Sequence, residues 1–121
     1  MNMMKASKTS WVKVADLQDL PADRPYAIFL EDQLLIAVQQ QHEVIVYQGL
    51  CPHQAARLDR GKIVDGWIYC PQHQARFAIT DGICSGGWRL PALTRYRSKV
   101  DAAQLWLALP LTAEADGLSP A

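Results

Sequence analysis

The segment CPHQAARLDRGKIVDGWIYCPQHQ, residues 51–74, holds two of the chain's three cysteines and two of its three histidines. They fall as Cys51-Pro52-His53 and Cys70-Pro71-Gln72-His73, so a sulfur and an imidazole nitrogen recur together at two places. Pro52 and Pro71 fix φ directly after each cysteine and remove an N–H, which stiffens two loops that can stand open without an internal ladder. Between them, Arg60-Gly61-Lys62 and Asp65-Gly66-Trp67 supply turn residues for a hairpin that carries the chain from one loop to the other. Two mixed loops can therefore converge on one centre.

Structural zinc accepts two cysteines and two histidines, but zinc fingers usually group like with like at intervals of about 2–5 residues. Here each loop is mixed. A [2Fe–2S] cluster of the Rieske kind accounts for the mixing: one iron takes both thiolates, the other takes both imidazoles, and each loop gives one ligand to each iron. The candidate ligands are Cys51, His53, Cys70 and His73, holding one cluster per chain. The alternative is a structural zinc module that mediates protein contacts.

Outward from this segment the chain reads as strands. WVKV at 11–14, YAIFL at 26–30, QLLIAVQ at 33–39 and EVIVY at 43–47 are short runs rich in β-branched and aromatic residues, separated by the turn-like Pro25, Glu31-Asp32 and Gln40-Gln41-His42. Residues 75–80 read as a strand running into a tight turn at Asp81-Gly82, and 93–100 and 104–109 as two closing strands. Residues 16–20, ending before Pro21, suggest a single capped helical turn. Residues 1–10 and 110–121 have the makeup of loose tails. The expectation is an all-β, antiparallel domain over 11–109, without internal repeats.

Composition sets the limits. A chain of 121 residues, half of them hydrophobic and 20% charged, is expected to form one ordinary globular domain without room for a second, catalytic one. No apolar run approaches the roughly 18 residues of a membrane span, and the first residues lack the apolar centre of a secretory signal. An odd cysteine count fits a reducing cytoplasm, where cysteines more often bind metals than form disulfides. The formal net charge of zero gives no reason to expect nucleic acid or membrane as a partner. Charge is nevertheless uneven. Residues 57–99 hold eight basic side chains (Arg57, Arg60, Lys62, Arg76, Arg89, Arg95, Arg97, Lys99) against Asp59, Asp65 and Asp81, a balance of +5 that the rest of the chain cancels. This suggests a basic docking face steered by Arg57, Arg60, Lys62 or Arg76 toward an acidic partner.

Over about residues 11–109 the sequence resembles the Rieske ferredoxins. The likeness is carried by CPH at 51–53, CPQH at 70–73, Trp67-Ile68-Tyr69 between the loops, Phe77, Asp81-Gly82 and Leu93-Thr94-Arg95-Tyr96. The resemblance implies an antiparallel β-sandwich base with a small cluster-binding subdomain inserted at about 49–90. It also implies that Cys51 and Cys70 bind one iron and His53 and His73 the other. Respiratory and photosynthetic members carry a further cysteine in each loop and join the two in a disulfide, where this chain has Ala56 and Gln72. Their serine and tyrosine donors to cluster sulfur, two and four positions after the second histidine, correspond to Ala75 and Phe77. The Gly-Pro common after the second loop is replaced by Gly86-Gly87-Trp88.

The implied function is that of a cytoplasmic one-electron carrier, with no substrate site of its own. It would pass electrons from a flavin-containing ferredoxin reductase to a terminal oxygenase of the aromatic-ring dioxygenase or a related monooxygenase type. A small subunit of a nitrite reductase-type complex is the alternative within the family. Two ferric ions, two sulfides and two thiolates cancel when both imidazoles are neutral, so such a cluster accepts its electron more readily than an all-cysteine one, which starts negative. Only His42 is left over, in a polar turn where it reads as solvated, and one histidine cannot build a 2-His-1-carboxylate iron site. Cys84 reads as a half-buried thiol, and Trp67 and Trp88 as packing residues, with Trp88 a candidate shield for the cluster.

Overall fold

The structure is a computed structural model that describes residues 9–41, 43–52, 55–72, 75–85 and 89–114. His42, His53, His73 and the Gly86-Gly87-Trp88 stretch lie outside the described residues, as do most of both tails.

Among the described residues, eleven strands make three antiparallel sheets. β1 (Ser10–Asp16), β11 (Gln104–Leu109) and β10 (Ser98–Asp101) form the first, in the order β1-β11-β10. β2 (Tyr26–Leu30), β3 (Gln33–Gln40), β4 (Glu43–Gln48) and β9 (Arg95–Tyr96) form the second in that order. The third is the meander β5 (Lys62–Val64), β6 (Trp67–Tyr69), β7 (Arg76–Ala78) and β8 (Cys84–Ser85). Three hairpins close on two-residue turns with both residues left-handed: Glu31-Asp32 (φ 54 and 62), Asp65-Gly66 (φ 50 and 82) and Ala102-Ala103 (φ 54 and 61). That turn geometry matches the right-handed twist of the strands it joins.

The second sheet lies between two cores, which explains why its sequence is almost unbroken apolar. Leu35 and Ala37 of β3 and Val46 of β4 pack with Leu105 and Leu107 of the first sheet. Their alternates, Ile36, Val38, Ile45 and Tyr47, pack on the other side with Ile68, Phe77, Cys51 and Cys70. A strand buried on both faces loses the polar alternation of a half-exposed one. Leu34–Val38 therefore reads as one hydrophobic run because the two faces serve different layers.

Residues between β4 and β9, strands that pair with each other, are an insertion in that sheet. Gln48 clasps its neck. The Gln48 backbone N–H donates to Thr94 O at 2.8 Å, the Thr94 N–H donates to Gln48 Oε1 at 2.7 Å, and Gln48 Nε2 donates to Leu50 O at 2.7 Å. Deeper in, the Tyr47 hydroxyl donates to Ile79 O at 2.7 Å, tying the base to the inserted layer.

Several expectations need correcting. The strand expected at 93–100 is two strands in different sheets, switching at Arg97, whose N–H donates to Thr112 O at 3.0 Å while its carbonyl accepts from Ala108 N–H at 3.2 Å. The strand expected at 75–80 is confined to Arg76–Ala78, because Gly82 N–H turns back to Ala78 O at 2.7 Å. The helical turn is a short 3-10 segment, Leu17–Asp19, without a side-chain cap, since the Asp16 carboxylate is held by Lys13 Nζ at 3.0 Å and Gln104 Nε2 at 3.3 Å. Residues 112–114, expected within a loose tail, run beside β9: Ala113 bridges Tyr96, and the Glu114 N–H donates to Arg95 O at 2.7 Å. Among the described residues no helix is long and apolar enough to cross a membrane.

Candidate metal centre

Both cysteines open loops of the same construction. Leu50 and Arg57 bridge beneath the first, and the Cys51 N–H reaches across it to Ala56 O at 2.8 Å. Tyr69 and Arg76 pair beneath the second, and the Cys70 N–H reaches Ala75 O at 2.7 Å. Each cysteine thus heads a Cys-Pro-x-x-x-Ala-Arg segment whose two ends pair, a short repeat at 51–57 and 70–76. The alanines are needed small: Ala56 and Ala75 are buried in the cluster of side chains that contains both cysteines.

Cys51 and Cys70 are each 2% exposed and neither forms a disulfide. Burial pushes the Cys70 thiol up to about 11, and the adjoining Cys51 thiol pushes in the same direction, while a hydrogen bond from the Gln72 backbone N–H pulls against them. A buried thiol whose ionisation is opposed by burial and by its neighbour is poorly placed alone. A cation between them reverses that balance by favouring both thiolates, so the donor pair fits a metal that takes two sulfurs. His53 and His73 sit at positions two and three beyond their cysteines, inside the same two segments by sequence. Among the described residues no group of three metal-ligating side chains gathers.

A pH dependence follows for the metal-free chain. The folded Cys70 thiol holds its proton above the ordinary value of 9.0, so the folded chain binds more proton than the unfolded one in that window. The resulting stability is fully present below pH 9.0 and is lost as pH rises toward about 11. Urea midpoints of metal-free protein should fall across this window, and a Cys70→Ala variant should show a smaller fall; equal falls would exclude Cys70 as the source.

The remaining singled-out residues are placed as follows. Trp67 lies half-buried on the outer face of the inserted sheet, under the Arg76 guanidinium at 4.3 Å from its ring centroid. Cys84 is half-buried on β8, opposite Phe77, with its Sγ 3.7 Å from Ser85 O. The basic stretch is divided rather than continuous. Arg57 is taken out of the expected docking set by a bidentate pair with Asp59 at 2.9 and 2.8 Å and by stacking on Phe29 at 5.3 Å. Arg95 pairs with Glu43 and Glu114, and Arg97 and Lys99 flank Trp11 in the first sheet.

Comparison with known proteins gives one consistent answer. The profile of the family described as Rieske [2Fe-2S] domain matches residues 10–97. The ferredoxin component of the naphthalene 1,2-dioxygenase/salicylate 5-hydroxylase systems of Ralstonia sp is 29% identical over 60% of this chain and 70% of its own length. Among solved structures, the ferredoxin of carbazole 1,9a-dioxygenase from Nocardioides aromaticivorans IC177 superposes with a TM-score of 0.73 at 26% identity, covering 81% of this chain and 96% of that one. The Sphingomonas yanoikuyae B1 ferredoxin shares the fold, with a TM-score of 0.77 at 22% identity over 84% of this chain and 100% of that one.

Proposed function

Since the chain belongs to the Rieske [2Fe-2S] domain family, we propose that it is the ferredoxin component of an aromatic-ring oxygenase system. In this role it takes one electron from a flavin-containing reductase and delivers it to a terminal oxygenase in the cytoplasm, turning over no organic substrate itself. Cys51 and Cys70 hold one iron and His53 and His73 the other, within an inserted subdomain at about 49–90. The observation that carries this reading is the pair of matched Cys-Pro loops whose buried thiols meet in one apolar core. The relatives named as ferredoxin components of dioxygenase systems support the choice of partner.

The bound cluster supplies reversible one-electron chemistry near a neutral charge, and the chain supplies its setting. The core around Cys51 and Cys70 is built from Leu58, Ile68, Phe77, Ile79 and Tyr47, all essentially without solvent exposure. Packing this dense keeps water from the sulfur side and limits reorganisation of the surrounding core when charge changes. An anaerobic optical redox titration should follow a reversible one-electron Nernst curve, one electron per chain. A two-electron or irreversible response would sink the carrier reading.

The same titration tests what sets the potential. Ala75 and Phe77 lie in the core that contains both cysteines and neither side chain can donate a hydrogen bond. A donor aimed at sulfur stabilises the more negative reduced state, so without donors the potential should fall at the low end of the Rieske range of roughly −150 to +300 mV. A restored hydroxyl that favours the reduced form by about 1–2 kcal/mol, as hydrogen bonds to charged groups commonly do, raises the potential by roughly 40–90 mV through the one-electron relation of about 59 mV per tenfold. Ala75→Ser and Phe77→Tyr should each move it upward and add together. Substitutions that lower the potential while the cluster stays intact would contradict this.

A further inference from the structure

The outer face of the inserted sheet sets cations against two aromatic rings. Strand alternation turns Ile63, Ile68 and Phe77 inward, and their neighbours Lys62, Tyr69, Arg76, Val64 and Trp67 outward. One row across the strands reads Lys62–Tyr69–Arg76. Lys62 Nζ stands 5.7 Å from the Tyr69 ring centroid, and Arg76 Nη1 lies 3.5 Å from the Tyr69 hydroxyl. The next row is apolar, Val64 beside Trp67, with Val64 42% exposed. Where the first row meets the second ligand loop, a notch of about 200 Å³ opens, lined by Arg60, Gly61, Lys62, Tyr69, Cys70 and Pro71.

Three cations meet on this face, and none forms an ion pair with a described residue. The nearest acid in sequence, Asp59, is held by Arg57 through two hydrogen bonds. Arg76 also has its Nε buried and without a hydrogen-bond partner among the described residues. Trp67, Tyr69 and Arg76 are of the residue types enriched where proteins recognise one another, and Arg60 and Lys62 add charge at the edge. The notch is too small for a cofactor or drug-sized molecule, which needs about 300 Å³ or more, and is the size of a side chain.

We propose that this face docks an acidic surface of the protein with which the chain exchanges electrons, one carboxylate side chain of that partner entering the notch between Arg60 and Lys62 beside Cys70. This rests on the carrier reading and adds to it the place and the chemistry of docking. Tyr69, Trp67 and Val64 supply the apolar contact, and the cations supply orientation and on-rate. Arg97 and Lys99 lie away from this face, around Trp11 of β1, and take no part.

The test uses the cluster-loaded chain and a decapeptide of glutamate as the acidic probe, with calorimetric titration at low ionic strength. Wild type should bind it, and binding should fade as salt approaches 0.1 M, where the Debye length is about 10 Å. The Arg60→Gln/Lys62→Gln variant should lose about tenfold or more in affinity. The Arg97→Gln/Lys99→Gln variant, which removes the same charge, should lose no more than about twofold. Equal losses in both variants, or no binding to wild type, would overturn the assignment. Sedimentation of the same proteins is the second arm. A dimer that dissociates only in the Arg60/Lys62 variant would give the face to a second copy through its acidic Glu31-Asp32 turn, and overturn the proposal as well. Failure of the carrier reading would look different, as a chain without iron and sulfide whatever its affinity for the peptide.

Discussion

Alanine in place of His53 or His73 is expected to abolish the Rieske-type paramagnetic signal of the reduced protein, and alanine in place of His42 to leave it intact. The signal depends on the unequal ligation of the two irons, one by sulfur and one by nitrogen. Removing either loop histidine destroys that asymmetry or the cluster itself. By sequence His42 falls between β3 and β4 and belongs to neither Cys-Pro segment. The measurement is low-temperature electron paramagnetic resonance of dithionite-reduced protein, with iron content determined on the same samples. Loss of the signal in the His42 variant with retention in the His53 variant would show the ligand assignment to be wrong.

Among the described glycines of the insert, Gly61→Ala is expected to be the most damaging substitution. Gly61 has an ordinary extended backbone (φ −87, ψ −153), so the substitution costs nothing in conformation. Its cost is steric. A Cβ there would fall inside contact distance of the Tyr69 carbonyl oxygen, with Leu58 O also only 3.3 Å away. Both neighbours are backbone, and Tyr69 is the residue immediately before Cys70, so relief requires moving the strand that positions the second ligand loop. Overpacking a rigid site costs about 1–3 kcal/mol and sometimes more; with backbone on two sides, about 3 kcal/mol or more is expected, together with low cluster content. Gly66→Ala provides the contrast. Its φ of +82 makes any side chain strained, but a Cβ meets only Gln40 Oε1 at 3.9 Å, so about 1–2 kcal/mol is expected. Denaturant midpoints and visible absorbance of the two variants should rank Gly61→Ala well below Gly66→Ala. The reverse order would mean that the approach of Gly61 to β6 does not fix the loop.

Much of this architecture is legible in the residues because each signal is local. Glu31-Asp32 and Asp65-Gly66 sit between strand-like runs, and the hairpins they close are present with those residues at the turn. The apolar run at 34–38 identifies a strand but not its double burial, which depends on two layers from distant parts of the chain. The break between β9 and β10 leaves no mark in the run from 93 to 100, since it comes from backbone bonds of Arg97 to Thr112 and Ala108 rather than from side-chain pattern. Charge behaves likewise. The +5 balance of residues 57–99 is visible in the sequence, but only the fold shows that Arg57 and Arg95 are occupied by Asp59, Glu43 and Glu114. Of the proposed ligands, the two cysteines are brought together in one buried core. The two histidines lie outside the described residues, and their assignment rests on the sequence pattern.

The central claim, a Rieske cluster rather than a zinc site between the two Cys-Pro loops, is tested most directly by metal and acid-labile sulfide analysis of anaerobically purified protein. The red-brown chain should contain two irons and two sulfides, in keeping with a [2Fe-2S] domain. A colourless protein with one zinc and no sulfide per chain would contradict it.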